Sequence, residues 1–265
     1  MARMPALFIG HGSPMNTLES NRYTEAWRRL GATIERPRAI LVVSAHWYFG
    51  ATAVTAMARP RTIHDFYGFP EELFAFAYPA PGLPDLAGEV AEVAKPLWVG
   101  ADRDQWGLDH GAWSVLAHMF PAADVPTVQL SINATKPLDY HLDLGTRLAP
   151  LRDRGVLILS SGNVVHNLHR LQWDKPDDGE DWARRFDAAT ERQMEEAPGD
   201  LLCLTEHADY ALSVPTPDHF IPLLYTAGLA AAGDGAKPLV HGFAMGALSM
   251  TCYGVGLDGF PVSEA

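Results

Sequence analysis

The chain has 265 residues and 48% hydrophobic content, enough apolar material for one substantial core, and residues 1–265 are expected to form a single domain. A formal charge of −12, with basic residues scattered and not in a stripe, argues against a nucleic-acid partner. Cys203 and Cys252 are the only cysteines; without C-x-x-C spacing they suggest neither a disulfide framework nor a thiolate zinc site and read as buried thiols, and the absence of a signal-like or bilayer-length apolar run points to a cytoplasmic protein.

The first apolar run, residues 5–9, ends at Gly10-His11-Gly12-Ser13-Pro14. Residues 20–31 follow as a helix that starts at a plausible cap and stops at Gly31. A second run over 38–44 leads into Ser44-Ala45-His46-Trp47, and an aromatic-rich loop surrounds His64 with Phe66, Tyr67, Phe69 and Phe74. His110 stands in Gly107-Leu108-Asp109-His110-Gly111, just before a helical pattern. Runs over 126–132 and 156–160 flank a predicted helix over 137–153, and the second run leads to Ser161-Gly162-Asn163-Val164-Val165-His166.

Residues 174–181 read as a surface loop and 182–196 as an amphipathic helix. Thr216-Pro217-Asp218 has the form of an N-cap, a first-turn proline and a dipole-matched acid, which places His219 in the first turn of a helix. Short glycine-punctuated runs over 239–245 and 248–253 suit antiparallel strands at a sheet edge. Strands without polar alternation are covered on both faces, so alternating runs and helices give an α/β class with a central mixed β-sheet flanked by helices.

No G-x-S-x-G, H-E-x-x-H, P-loop or helix-opening G-x-G-x-x-G sequence is present, which weakens serine-hydrolase, helical zinc-protease, kinase and dinucleotide readings. The placement of His11, His46 and His166 directly beyond strands is more informative, because open α/β sheets bind ligands outside the carboxyl ends of their strands. Converging imidazoles point to a metal. Asp109 could orient an imidazole, although the side chains of neighbouring residues often diverge. His169 precedes Arg170 and suits solvent; His118 and His141 fall within helical patterns, His207 lies in a polar stretch and His241 reads as strand-bound.

Five motifs in order resemble one family: Gly10-His11-Gly12-Ser13-Pro14-Met15, Ser44-Ala45-His46-Trp47, Trp106-Gly107-Leu108-Asp109-His110-Gly111, Ser161-Gly162-Asn163-Val164-Val165-His166-Asn167-Leu168 and Thr216-Pro217-Asp218-His219. They are similar to those of the bacterial 4,5-DOPA extradiol dioxygenases, within the class III, LigB-type superfamily. The resemblance spans nearly the whole chain, including Thr62-Ile63-His64-Asp65-Phe66 and Met245-Gly246-Ala247-Leu248-Ser249-Met250.

It implies a single-domain LigB-like fold and extradiol cleavage of a catechol such as 3,4-dihydroxyphenylalanine, with both atoms of O2 inserted. The implied partners are therefore a small aromatic diol and O2, without nucleic acid or membrane. The implied cofactor is non-haem Fe(II), with Zn(II) a frequent occupant. By the same resemblance His11, His46 and His219 match metal ligands, His166 matches a fourth ligand or the acid/base, and His110 matches a catalytic histidine beside substrate and oxygen. Better-known superfamily members use two histidines and a carboxylate, whereas the nearest acid here, Glu206, lacks motif support. A zinc hydrolase using the same histidines and a non-catalytic scaffold are the alternative readings.

Overall fold

The computed structural model describes residues 3–257 and 260. Its strands are β1 (Ala6–Gly10), β2 (Ala39–Phe49), β3 (Ala53–Thr55), β4 (Arg61–Thr62), β5 (Gly100–Asp102), β6 (Gly107–Leu108), β7 (Thr127–Asn133), β8 (Val156–Gly162), β9 (Lys237–Val240), β10 (Phe243–Ala244), β11 (Leu248–Ser249) and β12 (Cys252–Val255). The α-helices are α1 (Arg22–Thr33), α2 (Glu71–Ala75), α3 (Pro84–Val93), α4 (His110–Met119), α5 (Leu138–Arg152), α6 (Asp181–Glu196), α7 (Tyr210–Ser213) and α8 (Ile221–Leu229).

Eight strands form one mixed sheet in the order β5-β3-β7-β2-β8-β1-β12-β9. Strands β7, β2, β8 and β1 run parallel through its centre, and β12 and β9 extend it antiparallel at one edge. Successive residues of the central strands enter opposite cores. Phe8, Leu41 and Ile158 pack with α3, α5, α6 and α8, while Leu7, Ile9, Val42 and Leu159 pack with α1 and α4 on the other face. Two-sided burial explains the unbroken apolar runs, and each such side chain removed from water contributes roughly 1.5–3 kcal/mol.

The α/β class, the mixed sheet and the antiparallel strands near the C-terminal end of the chain match the sequence expectations. Several boundaries do not. Helix α1 is capped by Asn21, whose side chain accepts from the amides of Tyr23 and Thr24, and it continues through Gly31 to Thr33. Gly31 serves packing and does not stop the helix: a Cβ there would stand 2.1 Å from the Met119 carbonyl oxygen of α4.

His46 lies within β2, where the pairing register with β7 shifts between Val43 and Tyr48, and not in a loop beyond the strand. His219 precedes α8, which starts at Ile221; the amides of Phe220 and Ile221 both donate to the Pro217 carbonyl in the turn before it. His241 falls just past β9. Cys203 is exposed, because it sits on the outer side of a short 3-10 segment, whereas Cys252 is buried in β12.

Helix α6 is tied to the β11–β12 region by a buried carboxyl. Asp187 Oδ1 accepts from Ser249 Oγ at 2.6 Å and Oδ2 from Thr251 Oγ1 at 2.9 Å. Burial outweighs these hydrogen bonds and pushes the Asp187 carboxyl up to about 6, from 3.8 in a solvated chain. The folded state therefore holds a proton that the unfolded chain releases. The resulting stabilisation is complete below the unfolded value and is lost as pH rises through about 6, a difference of roughly 3 kcal/mol.

Asp187→Asn keeps a neutral hydrogen-bonding group without that dependence. Relative to wild type, the variant should gain stability as pH rises from about 4 to about 7, by up to roughly 3 kcal/mol. Chemical denaturation of both proteins across that range measures the gain, and a stability difference independent of pH contradicts a buried proton on Asp187.

Candidate metal centre

Gly10 of β1 and Gly162 of β8 are register partners, so the chain leaves both strands at the same end of the sheet. His11 follows immediately, its amide donating to the Gly162 carbonyl at 3.1 Å. Ser44 of β2 pairs with Ser161 of β8, which sets His46 beside the same end. His110 opens α4 after the N-cap Asp109. His219 is held by its carbonyl, which accepts from the Asn163 amide at 2.9 Å, and His166 by its amide, which donates to the Ser213 carbonyl at 2.9 Å.

All five histidines named from the sequence meet in one cluster. Ring centroids lie 5.1 Å apart for His11 and His46, 5.4 Å for His11 and His219, 5.0 Å for His46 and His219, and 3.8 Å for His46 and His110. His166 stacks on His219 at 3.5 Å with the planes 2° apart. Close approach at the start of α4 requires a residue without a side chain, since a Cβ on Gly111 would stand 2.4 Å from Ser44 Oγ and 2.9 Å from His46 Cδ2.

One hydrogen bond and three close carboxylate contacts place the outer nitrogens of these rings. Ser161 Oγ uses its one hydrogen to donate to the Gly111 carbonyl at 2.6 Å, so at 2.9 Å from His11 Nδ1 it can only accept. His11 therefore carries its proton on Nδ1, and Nε2 is bare. The Asp65 carboxylate places Oδ2 2.9 Å from His46 Nδ1 and 3.0 Å from His110 Nδ1. Neither Asp65 Oδ2 nor His110 Nδ1 has a partner in hydrogen-bonding alignment, so these are close charge contacts with the two Nδ1 atoms. His219 Nδ1 pairs with Asp218.

The outcome is a pair of nitrogens, His11 Nε2 and His46 Nε2, 3.2 Å apart. Two imidazoles each about 2.0–2.1 Å from one ion, at angles between octahedral and tetrahedral, would have nitrogens separated by roughly 2.8–3.4 Å. Donor atoms of His11, His46 and His110 all lie within 4.8 Å of one another, a group that could hold a metal ion. That group includes His110, which the family resemblance matched to a catalytic role, and does not include His219 or His166, which stack on each other beside His11 and His46.

Electrostatics favour the uncharged form in four of the five rings. Burial, followed by repulsion from His46, holds His11 well below the usual histidine range. Burial and His219 do the same to His166. Burial brings His219 to about 4 despite the opposing pull of Asp218, and burial with His46 lowers His110 in spite of Asp65. His46 differs: burial would lower it, but Asp65, Asp109 and Asp218 together raise it. Its partner Asp65 is held well below the carboxylate range, since contacts with His110 and His46 overcome its burial. Neutral imidazoles with free lone pairs are what a divalent ion needs.

Asp109 makes its hydrogen bonds with groups other than the imidazoles. It accepts from Ser44 Oγ at 2.7 Å, binds the Gln129 side-chain amide and caps α4 through the Ala112 amide. His169 and Glu206 are exposed, and His118 and His141 lie in α4 and α5. Asp65 and Ser161 were not identified as site residues from sequence, and Asp218 read as a helix-start acid; the available signal was that all three lie within family-like motifs. Beside the histidines, Phe66 meets His110 edge-on at 5.5 Å, and Trp47 stacks between Trp106 and Phe49 at 5.7 Å each.

Comparison with known proteins agrees with this architecture. Residues 5–256 match the family described as the catalytic LigB subunit of aromatic ring-opening dioxygenase. A 4,5-DOPA dioxygenase extradiol of Escherichia coli K12 is 48% identical over 263 residues, covering 96% of this chain and 95% of the relative. The 4,5-DOPA dioxygenase extradiol of Beta vulgaris is 37% identical over 88% of this chain and 89% of its own. A crystal structure of an uncharacterized Escherichia coli K12 protein superposes with a TM-score of 0.84 at 43% identity, over 96% of this chain and all of that one. The chain belongs to the LigB family of aromatic ring-opening dioxygenases and, within it, to the 4,5-DOPA extradiol dioxygenases.

Proposed function

We propose that residues 1–265 form one catalytic domain that opens a catechol such as 3,4-dihydroxyphenylalanine by extradiol cleavage, inserting both atoms of O2, with Fe(II) as the working metal. The observation that carries this reading is the approach of His11 Nε2 and His46 Nε2 to 3.2 Å within a cluster of five converging imidazoles. His11, His46 and His219 are the proposed ligands, with His166 as a fourth ligand or the acid/base. When bound, ferrous iron supplies one point at which the diol and O2 are brought together.

The remaining chemistry belongs to the side chains. Loss of the second catechol proton needs a base active near neutrality, and His166, kept neutral by burial and by His219, fits that task. With Nδ1 turned to Asp65, His110 presents Nε2 as an acceptor, so it must gain a proton before it can donate to the reacting oxygen. Phe66 and the Trp47–Trp106 stack give the neighbourhood apolar surface suited to an aromatic ring. His11 and His219 are 1% and 7% exposed, which fits an enclosed reaction site better than a flat scaffold surface.

An all-imidazole set also suits Zn(II), which supports zinc in the purified protein and makes a zinc hydrolase the competing reading. Anaerobic iron loading followed by oxygen uptake with a catechol panel separates the two: iron-dependent uptake supports ring cleavage, and indifference to iron supports the hydrolase. We take the enzyme to be cytoplasmic, without nucleic-acid or membrane partners. The net charge of −12, two free cysteines and the lack, among the described residues, of a helix long and apolar enough to cross a membrane support that reading.

His46→Ala should abolish or greatly weaken metal retention while the fold survives. Metal analysis after dialysis checks this, and wild-type content would remove His46 from the ligand set. His110→Ala should keep its metal and lose roughly 10²–10⁴-fold of iron-dependent turnover. Loss of metal from that variant would instead make His110 a ligand, and unchanged turnover would remove it from the chemistry.

A further inference from the structure

Asp65 stands in the segment between β4 and α2, far in sequence from the rings it touches. That segment is firmly seated: the Ile63 amide donates to the Leu108 carbonyl at 2.7 Å, Trp113 Nε1 donates to the Ile63 carbonyl at 2.9 Å, and His64 Nε2 lies 2.9 Å from the Phe76 carbonyl oxygen. Three nitrogens surround the Asp65 carboxylate. Oδ1 accepts from the His110 backbone amide at 3.1 Å, and Oδ2 faces Nδ1 of His46 and Nδ1 of His110. By contrast, His11 uses Ser161 and His219 uses Asp218.

From this geometry we infer that Asp65 is a positioning residue that sets two imidazoles at once, holding His46 and His110 as Nδ1–H tautomers with Nε2 turned to the metal centre. The buried acid Asp109 cannot substitute, because its oxygens are taken by Ser44, Gln129 and the α4 amide. Partners that hold the far nitrogen of a ligating histidine fix its tautomer and orientation, and their loss typically costs 10–100-fold in metal affinity or activity. Here one carboxylate ties a proposed ligand to the histidine proposed to face the substrate. The reorientation of either ring would disturb the other.

The inference rests on the proposed metal centre for its purpose, but its test does not require ring cleavage. Nitrogen NMR of ¹⁵N-histidine-labelled, metal-free protein at mildly alkaline pH should show both His46 and His110 as Nδ1–H tautomers. Asp65→Asn cannot satisfy all three donors, since its amide turns an N–H₂ group toward either the rings or the His110 amide. That variant should lose the Nδ1–H form in at least one ring and bind zinc 10–100-fold more weakly in titration, while Asp65→Glu should recover part of both.

An Nε2–H tautomer at either ring in the wild type overturns the inference, even if Asp65→Asn fails to fold. So does an Asp65→Asn variant with wild-type tautomers and zinc affinity. If the tautomers are as stated but wild type binds neither zinc nor iron, the positioning role stands and the metal-dependent function fails.

Discussion

Two imidazole nitrogens that face each other at 3.2 Å need a proton or a metal cation between them, and His11 Nε2 and His46 Nε2 are held that way from the end of β1 and from β2. Much of the surrounding structure serves that approach. Parallel pairing of β1, β2 and β8 brings the strand ends together, Ser161 fixes the His11 proton on its outer nitrogen, and Asp65 faces the outer nitrogen of His46. A cation at the inner nitrogens turns the opposition into coordination.

The same arrangement explains why acids cluster behind an acceptor-rich centre. A buried carboxylate without partners would cost several kcal/mol or take up a proton. Asp65 and Asp218 face imidazole nitrogens, and both are held well below the carboxylate range, which keeps their charge. Asp109 follows the other course: buried with Ser44 and Gln129, its carboxyl is pushed upward by burial and by Asp65. Negative charge behind the rings strengthens their lone pairs as donors, and the apolar core on both faces of the sheet limits how far any of these groups can relax.

Sequence revealed the α/β class and the four central strands because two-sided burial leaves a continuous apolar signature. His11 and His166 were visible as candidates for the same reason: each follows such a run. His46 was found although its setting was misread, since the bulge that keeps it in β2 leaves no local pattern. His219 was placed in a first helical turn because Thr216-Pro217-Asp218 mimics a cap, whereas Asp218 pairs with the imidazole beside it. Asp65 was not legible as a site residue, because its partners His46 and His110 are brought to it only by the fold. Cys203 read as buried from apolar neighbours in sequence, which do not cover it in three dimensions.

The central claim is that these histidines form one metal centre, and X-ray absorption at the metal edge of iron- or zinc-loaded protein tests it most directly. The expected spectrum shows a first shell dominated by nitrogen at about 2.0–2.3 Å, with the outer-ring scattering of three or four imidazoles. A shell of oxygen or sulfur with no more than one imidazole would contradict the claim.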